Sequence, residues 1–168
     1  MKKFLSLLII VVAFSACETD VKFSDPGFQG RKDNFTWRAD QATATIIDSI
    51  LTITAYRGLE IVTLSVPAPT TPITRFNPVT FELATAANTS SATYTYEDQG
   101  TVFHYVTGYD DQENKGIGNG QILINELDFE NHRVSGQFKF NVKYDGESTV
   151  VAENVNYQEG AFYHIPLQ

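Results

Sequence analysis

The sequence predicts an all-β domain, an antiparallel meander that closes into a barrel or folds into a two-sheet sandwich. Three observations predict it. Short segments rich in β-branched and aromatic residues recur at a spacing of roughly 8–12 residues. Turn-forming residues separate most of them by hairpin-length connections. No window longer than two turns has the apolar periodicity of an amphipathic helix.

The first half of the domain is predicted as a run of hairpins. The segments that alternate or are rich in β-branched residues are 28–30, 35–39, 42–47, 51–56 and 60–66. A turn is predicted at 31–34, and shorter turns at 48–49 and 57–58. The stretch 67–72, PAPTTP, is predicted as a loop, because three prolines in six residues do not fit a central strand.

The second half continues the pattern. Strands are predicted at 78–83, 92–96, 101–109, 121–127, 134–144, 147–155 and 161–167, with a loop at 110–120 and a turn at 158–160. Residues 134–144 alternate most strictly, with Val134, Phe138 and Val142 on the face that also carries Gly136 and Phe140. The hairpin-length connections favour an up-and-down, lipocalin-like barrel, and an open sandwich is the alternative.

The N-terminus has the pattern of a signal peptide. Lys2 and Lys3 precede an apolar run at 4–14, whose eleven residues would rise about 16 Å as a helix, roughly half of a bilayer core. This length suits a signal-peptide hydrophobic region better than a membrane span. The sequence therefore predicts a signal peptide at 1–16, a tether at 17–27 and one domain at 28–168.

The end of this segment, Ser15-Ala16-Cys17, resembles the lipobox of bacterial lipoproteins, with Phe14 where that motif usually has Leu. The resemblance implies cleavage before Cys17, a diacylglycerol thioether on its sulfur and an acyl chain such as palmitate on its amine. Cys17 is the only cysteine, which fits this role. An ordinary secretory signal with a chance cysteine is the alternative.

Composition limits the partners. The chain carries 12 basic and 20 acidic residues, and loss of Lys2 and Lys3 changes its charge from −8 to −10. A strongly acidic body argues against nucleic acid as a partner, since binding to nucleic acid needs a basic face. Glu18 and Asp20 resemble the surface-export signal of bacteroidete lipoproteins, and a solvated tether is the alternative. We expect an outer-membrane location, with the cell surface and the periplasmic face both open.

Several segments together resemble a family. They are Phe28-Gln29-Gly30, Trp37-Arg38-Ala39, Leu51 to Thr54, Gly118-Asn119-Gly120 to Ile124, Val134 to Phe140, and Gly160-Ala161-Phe162. In this order they resemble the small uncharacterised bacteroidete lipoproteins that are grouped as a domain of unknown function. The resemblance implies a cell-envelope lipoprotein with a β-rich body, and it assigns no catalytic or binding residue.

Motifs for metals and cofactors are weak. His104, His132 and His164 are too far apart to form a local ligand pair. Asp110, Asp111, Glu113 and Asn114 suggest calcium, but an EF-hand loop would need glycine and glutamate where Lys115 and Gln121 stand. Gly116, Gly118 and Gly120 do not match a dinucleotide-binding fingerprint and are predicted as turn residues. We expect no metal and no cofactor.

Two further patterns concern binding and modification. The aromatic residues of two neighbouring strands are expected to be core and, alternatively, to line a ligand cavity or a glycan platform: Tyr94, Tyr96, Phe103, Tyr105 and Tyr109. Asp48-Ser49-Ile50 resembles the O-glycosylation motif of bacteroidete envelope proteins and lies in a predicted exposed turn, so Ser49 is a candidate modified residue.

The sequence has no catalytic motif that we recognise, so we expect a non-enzymatic protein. The function it favours is binding of a small apolar ligand, a glycan or a partner protein at the envelope. The alternative is a structural or accessory subunit of an outer-membrane complex. An apolar cavity inside a barrel would mark the ligand carrier, and convergent acids or histidines in a cleft would mark an enzyme.

Overall fold

A computed structural model describes residues 27–87, 89–147 and 150–168. The predicted signal peptide, Cys17 and the tether before Gly27 lie outside these ranges. Within them, no helix is long and apolar enough to cross a bilayer. The strands are β1 (Gly27–Lys32), β2 (Phe35–Arg38), β3 (Gln41–Ile47), β4 (Ile50–Arg57), β5 (Glu60–Pro67), β6 (Val79–Glu82), β7 (Ser91–Asp98), β8 (Thr101–Val106), β9 (Gly108–Asp110), β10 (Lys115–Ile117), β11 (Asn119–Asp128), β12 (Arg133–Tyr144) and β13 (Asn154–Pro166).

Eleven of these strands form one antiparallel sheet, and β9 and β10 form a small second one. The main sheet has the order β2-β1-β13-β12-β8-β7-β5-β4-β3, and β11 pairs with β12 on one side and with β6 on the other. The sheet curls into a half-barrel. At one end of it, Ala44 of β3 forms a parallel bridge with Leu167, the residue that follows β13. The predicted all-β antiparallel class is therefore confirmed.

Aromatic rings fill the concave side of the curled sheet. Their centroids lie 4.7 Å apart for Phe28 and Phe138 and 4.8 Å apart for Phe140 and Tyr157. Such ring pairs add about 0.5–1.5 kcal/mol each beyond the area that they bury. The buried large side chains include Phe28, Trp37, Leu51, Ile53, Leu64, Tyr94, Tyr105, Ile122, Ile124, Phe138, Phe140, Tyr157 and Phe162. This packing removes the main support for a ligand carrier with an apolar cavity inside the barrel.

Strand β12 shows the predicted alternation. Val134, Phe138, Phe140 and Val142 are buried, while Gln137, Lys139 and Lys143 on the other face are exposed. One residue of the polar face departs from this rule, because Ser135 is only 2% exposed.

Two glycines of the predicted core segments lie beneath rings of the neighbouring strand. Gly136 on β12 pairs with Phe162 on β13, and Gly160 on β13 pairs with Phe138 on β12. A Cβ on Gly160 would lie 2.5 Å from Phe138 ring atoms, and one on Gly136 would lie 2.4 Å from Cζ of Phe162. Each ring therefore occupies the space that a side chain on the opposite strand would need.

The end of the chain differs from the prediction. The prediction of a turn at 158–160 is wrong, because β13 continues through these residues as one strand of 13 residues. Glu159 forms a β-bulge there, with a φ of 52°, and this extra residue lets the strand bend without ending. The strand expected over 147–155 begins only at Asn154, and the loop expected at 110–120 contains β10.

Candidate functional site

Two β-bulges face each other across β12. On β13, Val134 pairs with Ile165 and Gly136 pairs with Phe162, so Tyr163 and His164 together oppose Ser135. On β11, the register shifts at Asn125, which is the extra residue on that side. Bulges often re-aim side chains next to functional sites. Here both of them place polar side chains around one serine.

Ser135 lies at the centre of a polar network. Its hydroxyl donates to Oε2 of Glu126 at 3.1 Å and accepts the backbone N–H of His164 at 3.0 Å. Arg133 Nη2 donates to Oε1 of the same carboxylate at 3.0 Å, and His164 Nε2 lies 3.7 Å from Oε2. The carboxylate of Glu126 is thus shared by residues of β12 and β13.

His164 has an unusual backbone conformation. Its φ of 49° lies in the left-handed region, which non-glycine residues seldom adopt and which costs on the order of 1–3 kcal/mol. The bulge brings its ring against that of Tyr163, with centroids 3.7 Å apart. Tyr163 is still 42% exposed. Such strain persists only where surrounding contacts hold it, as Ser135 and Glu126 do here.

These residues form part of a groove of about 930 Å³. Volumes of this order are typical of sites that bind small organic ligands. Strands β11, β12 and β13 contribute one part of its lining, and the loop before β6 contributes another, with Phe76 85% exposed. Its lining is Pro72, Ile73, Thr74, Arg75, Phe76, Asn125, Glu126, Leu127, Asp128, Phe129, Glu130, Arg133, Ser135, Gly136, Gln137, Ala161, Phe162, Tyr163 and His164.

The loop before β6 is held against the sheet. Ile73 forms a bridge with Leu127, with backbone N–H···O distances of 3.1 and 2.9 Å, and its side chain is buried. The predicted Pro-rich loop thus leads into a fixed wall of the groove. Phe76 lies three residues after Ile73.

Charged groups of both signs alternate along the groove. Arg133 lies between Glu126 and Asp128, and its Nε is 3.6 Å from Oδ2 of Asp128. Hydrogen bonds from the side chain and backbone of Asn131 lower the pKa of Asp128, with smaller help from the N–H of Glu130 and from Arg133. Both carboxylates are therefore already partnered within the protein.

A second polar cluster lies outside the groove lining, around Glu60 on β5. Glu60 accepts hydrogen bonds from Lys32, Tyr94 and, at 2.9 Å, Trp37 Nε1. Burial alone would raise the pKa of Glu60, but these hydrogen bonds and the charge of Lys32 outweigh it and lower that pKa. The nearby Tyr157 hydroxyl is buried and has no hydrogen-bond partner in the described part of the chain. This cluster ties β1, β2, β5 and β7 together.

The predicted candidates are dispersed. His104 lies 3.8 Å from Asp145, His132 is exposed in the turn before β12, and only His164 lies in the groove. Over the described ranges, no group of three or more His, Cys, Asp or Glu residues is arranged to hold a metal ion. The carboxylate of Asp110 accepts the backbone N–H of Gln112 and Glu113, as in an ordinary turn.

The predicted aromatic residues are mainly core. Tyr94 and Tyr105 are buried with centroids 5.8 Å apart, and Tyr96 and Phe103 pack against them. Tyr109 on β9 instead donates a hydrogen bond to Asn114 in the turn between β9 and β10. The cavity-lining alternative for this group is thus not what the structure shows. Ser49 lies in the exposed two-residue turn between β3 and β4, with a φ of 63°.

Sequence reasoning missed Glu126, Ser135 and Tyr163 as site residues. A signal was present, because the buried positions of β13 are not evenly spaced. Val155 and Tyr157 are two apart, but the steps from Tyr157 to Gly160 and from Phe162 to Ile165 are three. A bulge adds one residue to a strand, so it lengthens the step between inward-facing positions from two residues to three.

The fold is that of a small all-β domain, a curled half-barrel sheet with an open groove of about 930 Å³. The sequence model of a domain of unknown function, DUF6252, matches residues 24–166. The chain therefore belongs to this family of uncharacterised domains. No curated protein and no solved structure gives a significant match.

Proposed function

We propose that this chain is a lipid-anchored envelope protein that binds a small organic ligand in the groove formed with β11, β12 and β13. The observation that carries the proposal is the pair of opposed bulges, which hold Tyr163, His164 and Glu126 in one cleft of about 930 Å³. Strained and irregular backbone of this kind is concentrated at functional sites.

Binding without catalysis suits the cluster best. The Ser135 hydroxyl is buried, donates a hydrogen bond to Glu126 and accepts one from the backbone N–H of His164, so it links the two bulges. A nucleophilic serine would also need an open approach to its hydroxyl oxygen, and Ser135 is only 2% exposed. The exposed residues of the groove lining include two aromatic ones, Tyr163 and Phe76.

Ligand-observed NMR with a library of small organic fragments tests this proposal. The full-length chain in detergent is compared with Tyr163→Ala and with Tyr56→Ala, a control whose tyrosine is 40% exposed against 42% for Tyr163. We expect a set of fragments to bind the wild type and the control and to lose binding to Tyr163→Ala. Equal binding by all three proteins would contradict a site in the groove.

The anchor is proposed on Cys17, which makes the membrane a partner of the chain. The mature chain has ten residues between Cys17 and the first residue of β1, counting the cysteine, so the tether reaches at most about 36 Å when fully extended. We expect Cys17→Ala to move from the membrane fraction to the soluble fraction. Protease digestion of intact cells then assigns the cell surface or the periplasmic face. A Cys17→Ala protein that stayed with the membrane would contradict the anchor.

A partner protein is the second candidate, as an accessory role in an outer-membrane complex would require. Three hairpin ends carry exposed apolar side chains, since Phe35 is 78%, Leu59 65% and Val102 60% exposed. A photo-crosslinker at position 59 should join one defined envelope protein, whereas one at exposed Thr80 on β6 should not. Identical crosslinking patterns at both positions would remove this candidate.

A further inference from the structure

The geometry of the groove points to a neutral saccharide as its ligand. Its ring would stack on Tyr163, and its hydroxyl groups would form hydrogen bonds with the charged network beside that tyrosine. This inference rests on the proposed function, because it names the ligand class of the same site. It is carried by three features: a partly exposed stacked ring, a set of paired donors and acceptors, and an aromatic residue on the wall.

The stacked ring is the first feature. His164 lies against Tyr163 with an interplanar angle of 24°, while the tyrosine keeps 42% of its surface exposed. A ring supported in this way is a rigid, flat apolar surface at low entropic cost. The flat face of a sugar ring, which presents C–H groups, is a suitable counterpart.

The polar groups form the second feature. Glu126 offers acceptors, Arg133 offers donors, and the contact of 3.0 Å between them fixes both orientations. Asn125 and Gln137, which carry one donor and one acceptor group each, also line the groove. A ligand with several hydroxyl groups both donates and accepts, so it matches such a mixed set without bringing a charge of its own.

Other ligand classes fit this lining less well. A cationic ligand would need an unpartnered carboxylate, but Glu126 and Asp128 already contact Arg133. A purely apolar chain would bury Glu126, Arg133 and Gln137 without replacing their contacts with water, at a cost of roughly 1–3 kcal/mol for each unsatisfied group. An anion is disfavoured by the balance of charge, because the lining has three carboxylates, of Glu126, Asp128 and Glu130, against two arginines, Arg75 and Arg133.

The wall provides the third feature. Phe76 is 85% exposed, and the guanidinium of Arg75 lies 5.1 Å from its ring centroid. Phe76 and Tyr163 belong to the same groove but to different elements, the loop before β6 and strand β13. A second apolar ring surface on the wall suits an oligosaccharide better than a single sugar.

An array of defined oligosaccharides, neutral and anionic, is the experiment that tests the inference. Full-length wild type in detergent is compared with Tyr163→Ala, Tyr163→Phe and Tyr56→Ala, and thermal melts verify that each variant is folded. We expect a neutral oligosaccharide to bind the wild type, Tyr163→Phe and Tyr56→Ala. Tyr163→Ala should bind it about tenfold more weakly, as loss of one stacking contact implies.

The outcomes separate the ligand class from the site. A saccharide that binds Tyr163→Ala as well as the wild type would overturn the inference, because it must bind elsewhere. Small fragments that depend on Tyr163, together with an array that shows no saccharide binding or only anionic saccharides, would overturn the ligand class and leave the proposed function standing. If neither fragments nor saccharides bind, both proposals fail.

Discussion

Replacing Gly160 with alanine should destabilise the sheet sharply, because the new methyl group meets a ring. Its Cβ would lie 2.5–2.6 Å from three ring atoms of Phe138, whereas carbon atoms pack at about 3.5–4.0 Å, so the ring must move by about 1 Å. Phe138 cannot retreat freely, since Phe28 packs on it with a centroid distance of 4.7 Å and Phe140 with one of 5.7 Å. Overpacking of this kind costs about 2–3 kcal/mol.

For a domain of this size that loss lowers the melting temperature by about 4–12 °C. Thermal unfolding followed by circular dichroism measures it, and Gly108→Ala is the matched control, because a Cβ there meets no atom within 4 Å. Phe138→Leu should relieve the clash, so the double variant Gly160→Ala/Phe138→Leu should be more stable than the two single losses predict when added. Strict additivity, or a Gly160→Ala protein as stable as the control, would refute the ring-over-glycine explanation.

Four further outcomes can be measured. Glu60→Gln removes the charge that Lys32 contacts and should lower the free energy of unfolding by about 1–3 kcal/mol in urea melts, while exposed Glu97→Gln should change it little; equal effects would contradict a role for the network. Burial raises the pKa of Tyr105 to about 12 and also raises that of Tyr94. The folded chain therefore holds these protons more tightly than the unfolded chain, and stability should fall as the pH rises above about 10; a Tyr94→Phe variant should lose less stability over that range, and an identical loss would count against this cause. In acid the dependence of stability on pH is reversed. Because the pKa of Glu60 is lowered in the folded chain, the unfolded chain binds this proton more tightly, and stability should fall as the pH drops below 4.5. Finally, the intact mass of the native protein should exceed that of Ser49→Ala by more than the loss of one oxygen if Ser49 carries a glycan, and a difference of one oxygen alone would exclude it.

The strand pattern was predictable where one face of a strand is buried. The alternation of β12 gave its inner face correctly, because each apolar residue there faces the core and each lysine faces solvent. The turn predicted at 48–49 is confirmed, and the one predicted at 31–34 is shorter, because β1 runs to Lys32 and only Asp33 and Asn34 form the turn. The polar residues of both turns tolerate the positive φ that a tight turn needs.

The closure of the sheet was not predictable in the same way. β1 pairs with β13 although more than a hundred residues separate them, and local patterns carry no information on such pairing. The bulge at Glu159 was missed because Glu159-Gly160 has the composition of a turn, yet in the structure the ring of Phe138 fills the space above this glycine. Local composition and tertiary packing here favour different structures, and packing determines the outcome.

The candidate site was missed for a related reason. Ser135 occupies a position that the period-two pattern assigns to solvent, and only the two bulges around it bury its hydroxyl. His164 was considered as one of three scattered histidines, and its proximity to Glu126 depends on the register of β11, β12 and β13. Convergence of this kind is a property of the sheet and not of any one segment.

Amide shift mapping by two-dimensional NMR tests the central claim most directly, that the bulged groove is a ligand site. The backbone N–H of His164 donates to the Ser135 hydroxyl at 3.0 Å, so its resonance reports any change in the groove. On addition of a binding fragment or oligosaccharide, we predict that the amides of His164 and Tyr163 shift, while those of Thr54 and Thr63 in the β4–β5 pair do not. Shifts confined to β4 and β5, or to the hairpin ends around Leu59, would contradict the account.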